Sequence, residues 1–114
     1  MESAKRNLEN ASNAWRDSSK YITLELNEEI DLKFHPDITD GVVVKQDTFQ
    51  GEPSGWKTFY QVTHIGSANQ ELRIFKANRN SSKFINAELA KGHWSLRIKR
   101  VGLGTKTLYQ PTAI

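Results

Sequence analysis

Leu72-Arg73-Ile74-Phe75, then Ser81-Ser82-Lys83-Phe84-Ile85-Asn86-Ala87-Glu88-Leu89-Ala90-Lys91-Gly92, then Leu96-Arg97-Ile98-Lys99 is the stretch whose reading decides the fold. Its outer segments alternate apolar and polar residues, the period of a half-buried strand. Leu72 and Ile74 are expected inward on one strand, with Arg73 and Phe75 outward. Leu96 and Ile98 are expected inward on the next, with Arg97 and Lys99 outward. The middle segment reads as a short helix. Ser81 or Ser82 can accept from its first free N–H groups, Ile85 and Leu89 form an i, i+4 apolar pair, and Gly92 supplies a left-handed stop.

Upstream, residues 56–65 are rich in aromatic and β-branched side chains and read as a strand, turned at Gly66-Ser67-Ala68-Asn69. With Val62 inward, Trp56, Thr58 and Tyr60 share its face, and Lys57, Phe59 and Gln61 point out. Ile22, Leu24 and Leu26 alternate, as do Ile30, Leu32 and Phe34. They fit either two strands joined by a turn or one long bulged strand ending at Pro36. Residues 35–55 read as a long loop punctuated by Pro36, Gly41, Gly51, Pro53 and Gly55, with a short strand at Val42-Val43-Val44. Downstream, residues 93–101 and 106–112 form the last two strands, turned at Gly102-Leu103-Gly104-Thr105, with Tyr109 outward. Residues 2–17 carry Ala4, Leu8, Ala11 and Trp15 at helical spacing. That thin stripe needs a surface to dock on, its own domain or a second copy of the chain, and otherwise frays.

The chain has 114 residues, enough for one domain with one core. It has no cysteine, which removes disulfides and thiolate metal sites and fits a reducing, cytoplasmic setting. It has no apolar run approaching the roughly 20 residues of a membrane span, and residues 1–20 are too polar for a secretory leader. Charge is unevenly distributed. Residues 17–53 hold nine acids against three lysines, and residues 71–110 hold nine bases against two glutamates. That polarity favours a polyanionic partner over one face.

Enzyme chemistry finds little support. His35, His64 and His93 are far apart and have no partner at metal-ligand spacing, so neither metal nor cofactor is expected. Glu28-Glu29-Asp31 sits beside a turn, where a solvated edge is the simpler reading. Gly102-Leu103-Gly104-Thr105-Lys106-Thr107 lacks the spacing of a phosphate loop and joins two strands instead of opening a helix.

Three strands, a helix and two strands, with Trp94-Ser95-Leu96-Arg97-Ile98-Lys99-Arg100-Val101-Gly102 followed by Thr107-Leu108-Tyr109, resemble the small divergent OB-fold single-stranded DNA-binding proteins of viruses and archaea. The resemblance implies a mainly β fold. A five-stranded OB-type barrel would span residues 21–114, with one helix between strands 3 and 4 and an N-terminal helical arm over residues 1–20. It implies single-stranded DNA binding with little sequence preference. Outward Phe59 and Phe75, with Trp56 or Tyr109, would stack on bases. Lys57, Arg73, Lys76, Arg79, Arg97, Lys99 and Lys106 would neutralise phosphates. RNA is the alternative polymer, and a protein-interaction module, including a homodimer through the arm, is the alternative class. The sequence ends Pro111-Thr112-Ala113-Ile114, so the acidic C-terminal tail of the bacterial proteins of that group is not expected here.

Overall fold

The computed structural model describes residues 20–114, and the expected N-terminal helix lies outside them. Six antiparallel strands and one helix follow in the order β1 (Glu29–Phe34), β2 (Val42–Phe49), β3 (Glu52–His64), β4 (Arg73–Ala77), α1 (Arg79–Ala90), β5 (Ser95–Val101) and β6 (Leu108–Ala113). A 3-10 turn, Gly104–Lys106, joins the last two strands. Among the described residues, no helix is long and apolar enough to cross a membrane.

The thirteen-residue β3 organises the sheet. One of its edges pairs with β2 along its first part and with β1 at Val62, Thr63 and His64, while the other edge pairs with β4. β1 continues to β5, and β5 to β6. The sheet curls into a half-barrel whose end strands, β4 and β6, approach without a ladder between them among the described residues. They meet through Phe75 and Tyr109, edge to face at 5.0 Å between centroids. The start of α1 spans the same seam. Asn78 Nδ2 donates to Thr107 O at 2.7 Å, and the Tyr109 N–H donates to Ser81 Oγ at 2.9 Å. β4's free edge is already engaged at Ile74, which bonds to Lys20 O and accepts from the Ile22 N–H.

Several expectations are corrected. The segment carrying Ile22, Leu24 and Leu26 is neither a hairpin strand nor an extension of β1. It makes one parallel bridge, Tyr21 to Ile74, buries Ile22 and Leu24 across the end of the half-barrel, and turns at residues 25–28. The region read as a long loop contains β2, which forms a hairpin arm with β3. Gln50 and Gly51 make its two-residue turn, both at positive φ (52° and 81°), the twist that suits a tight hairpin. α1 starts two residues earlier than expected. Its cap is Asn78, whose Oδ1 accepts from the Ser81 N–H at 3.0 Å, while Ser81 and Ser82 are buried. Gly102 is compelled by its turn: φ is +74°, and a Cβ there would sit 2.2 Å from Lys106 O.

The largest correction concerns β4. Tyr60 is opposite Phe75 and Val62 opposite Arg73, so the inward face of β4 carries Arg73, Phe75 and Ala77. Leu72 lies before the strand and is exposed, and Ile74 points to the outer side. Phe75 is 1% exposed and packs against Phe34, Tyr60 and Tyr109. Arg73 is buried at the strand's first position, where its Nη2 reaches Tyr21 O at 3.4 Å. Tyr109, expected outward, is half-buried against this core. Leu32, Phe34, Tyr60, Val62, Phe75, Ile85, Leu96 and Ile98 form the fully buried centre. Each such aliphatic or aromatic side chain contributes about 1.5–3 kcal/mol through removal from water.

Candidate nucleic-acid interface

The β3–β4 ladder ends at Thr58 opposite Ala77, so earlier residues of β3 pair with β2 alone and project as a two-stranded arm. Thr58 and Tyr60 occupy the inner face, and two-residue alternation puts Trp56 on that face as well. Among the described residues, no second layer covers the arm there. Trp56 is 64% exposed, and so is Val44 on the facing strand. Across from them stands α1. Burial of Ile85 turns Arg79, Asn80, Lys83 and Asn86 to the exposed side, with Arg79 and Lys83 one turn apart. Tyr60 Oη donates to Asn86 Oδ1 at 2.7 Å and pins the helix to the floor. Burial pushes the Tyr60 phenol's pKa above its ordinary value, so it stays a donor.

The open groove between arm and helix has a volume of about 830 Å³ and is lined by Val44, Trp56, Lys57, Arg79, Lys83 and Asn86, among others. None of its described lining residues is a carboxylate. No acid occupies the first turn of α1, where the helix dipole is positive and acids are ordinarily favoured. Dipole and cations therefore reinforce one another.

Of the residues expected to bind, three meet at this groove: Trp56, Lys57 and Arg79. Phe59 lies on the opposite face of β3, where it is 7% exposed with Lys45 Nζ 4.4 Å above its ring, so it is no open platform. Lys76, beside it, is held by Asp47 at 2.8 Å. Phe75, Arg73 and Tyr109 belong to the core and its margin. Arg97 and Lys99 lie on β5, separated from β3 by β1. Arg97 is bound through two hydrogen bonds, 2.8 and 3.1 Å, to Asp31. Lys106 is exposed in the 3-10 turn. Lys83 and Val44, which line the groove, escaped the sequence reading. The i, i+4 spacing of Arg79 and Lys83 was the available signal for the first of them.

The Arg97 hydrogen bond holds the Asp31 carboxyl below the ordinary aspartate pKa, and Lys76 does the same for Asp47. A carboxyl with a depressed folded pKa stabilises the fold above its unfolded value, near pH 4, and loses that contribution as pH falls through the folded value. The urea midpoint is therefore expected to fall between pH 5 and pH 2, and less steeply in Asp31→Asn.

Among the described residues, no group of three or more His, Asp or Glu side chains could hold a metal ion. No family model, curated protein or solved structure matches the chain.

Proposed function

We propose that the chain binds single-stranded DNA with little sequence preference, in the groove between the β2–β3 arm and α1. The observation that carries this reading is Trp56, exposed in a groove with Lys57, Arg79 and Lys83 at its walls and no acid among its described lining residues. An exposed indole among cations offers an unpaired base a stacking face beside phosphate partners. Duplex DNA keeps its base faces stacked and would leave the indole unused.

The pairing of β1 with β3 and β5, of β3 with β4, and of β5 with β6 supports an OB-type barrel with β2 inserted between its first two strands. In that fold, the segment between the first two strands contributes to oligonucleotide binding, and here that segment becomes the arm.

The test is fluorescence anisotropy of a labelled oligo(dT) at several salt concentrations, with oligo(rU) and duplex DNA alongside. Lys57, Arg79 and Lys83 give three phosphate contacts. The logarithm of affinity should then fall with the logarithm of salt with a slope of about −2, at roughly 0.7 per contact for a single strand. Equal or tighter duplex binding, or affinity indifferent to salt, contradicts the proposal.

A further inference from the structure

Arg100 falls on the inward alternation of β5, after Leu96 and Ile98, and brings its guanidinium to the end of the half-barrel. Its Nη1 donates to Leu24 O at 2.6 Å and its Nη2 to Thr107 Oγ1 at 3.4 Å. The Nε–H is buried and has no acceptor among the described residues. No carboxylate there forms an ion pair with the side chain either. Taking a cation from water with neither counter-ion nor complete hydrogen bonding is costly. Its neighbours add to that cost. A cavity of about 200 Å³ is lined by Arg100 together with Lys57, Lys76, Asn78, Gly104, Thr107 and Tyr109, and no carboxylate is among its described lining residues. Among the described residues, Lys76 is ion-paired with Asp47, whose carboxylate also feels the Lys57 charge, and Arg100 has no carboxylate partner.

Three cationic residues contribute to the lining of this small cavity, one of them with a spare buried N–H, and such a lining suits an oxyanion. Sulfate or a carboxylate would satisfy the charge, but a feature of β3 selects the source. Lys57 precedes the last rung of the β3–β4 ladder and lines both this cavity and the Trp56 groove. We propose that the Arg100 cavity is a phosphate subsite, occupied by a backbone phosphate of the strand whose base stacks on Trp56, with Lys57 between the two positions. The inference rests on the groove reading and deepens it, by fixing where the strand leaves the groove.

Nitrogen–proton correlation spectra of the full chain test it, because the Trp56 indole N–H and the Arg100 Nε–H are read together. Arg100→Lys keeps the charge and assigns the guanidinium signal by its loss. Inorganic phosphate, without oligonucleotide, is expected to shift the Arg100 Nε–H saturably, beyond the effect of sodium chloride at equal ionic strength. Lys57→Ala should weaken that phosphate affinity on the order of tenfold, as expected for one charge-assisted hydrogen bond. Oligo(dT) should then move both signals at one midpoint. An Arg100 Nε–H that responds to phosphate no more than to chloride overturns the subsite. An oligonucleotide that moves the indole and leaves the guanidinium in place overturns the path across Lys57. An unmoved indole with a phosphate-responsive guanidinium would instead refute the groove reading.

Discussion

Trp56→Ala is expected to weaken oligo(dT) binding by about thirtyfold while leaving the melting temperature essentially unchanged. Stacking of a base on an aromatic ring is worth about 1–3 kcal/mol by alanine substitution, and the middle of that range gives the stated loss. The fold should not notice. The indole is 64% exposed, lies beyond the last β3–β4 rung, and is absent from the buried cluster. Anisotropy of a labelled oligonucleotide measures the loss, and thermal unfolding followed by circular dichroism provides the control. Trp56→Phe should recover much of the affinity, because it keeps a flat ring where alanine has none. Unchanged affinity in the alanine variant would remove the stacking role, and the groove would reduce to a charged depression.

How far the sequence announced this arrangement depended on whether a pattern had two faces in different environments. β5 has them: Leu96 and Ile98 meet the core, Arg97 meets solvent, and the alternation reads correctly. α1 was legible for the same reason, since Ile85 and Leu89 mark its buried side. The β2–β3 arm lacks that contrast. Both its faces are largely exposed, so Lys45, Gln46, Asp47 and Thr48 follow one another with no apolar rhythm, and Gly55 and Pro53 give it the look of a loop. A register shift between Asp47 and Thr48 blurs the pattern further. The expected face of Trp56 was nevertheless correct. What a single strand could not convey is that its inner face outruns the core that covers Thr58 and Tyr60. Arm length relative to the half-barrel is a three-dimensional quantity, and the groove exists because of it.

β4 failed differently. Leu72-Arg73-Ile74-Phe75-Lys76-Ala77 alternates in either phase: one places Leu72 and Ile74 inside, the other Phe75 and Ala77 with Arg73. An inward arginine looks prohibitive until the strand's position is known. Arg73 is the first residue of β4 and escapes at the half-barrel's end toward Tyr21 O, so burial there costs far less than at mid-strand. Cross-strand pairing then decides the phase. Placing Phe75 opposite Tyr60 completes a cluster with Phe34 and Tyr109 that Ile74 would leave half empty.

That choice of phase makes Phe75→Ala the most damaging single substitution expected in the chain. The ring is 1% exposed and makes edge-to-face contacts with Phe34 at 6.3 Å and Tyr109 at 5.0 Å, and a tilted contact with Tyr60 at 6.4 Å. Truncating a buried phenylalanine to alanine costs about 3–5 kcal/mol through lost transfer energy and the cavity left behind. A domain of this size holds roughly 5–15 kcal/mol in all. The loss also falls on the seam, where Phe75 and Tyr109 join β4 to β6 without ladder hydrogen bonds. Thermal unfolding should therefore shift down by roughly 15 °C or more, at about 4–8 °C per kcal/mol for a domain near 100 residues. Phe75→Leu, which refills most of the volume, should fall between the alanine variant and the parent. An outward Phe75 would give the reverse result, an unchanged melting temperature with weakened oligonucleotide binding. Measuring both quantities on Phe75→Ala and Trp56→Ala thus separates the ring that holds the sheet together from the ring proposed to stack on the strand.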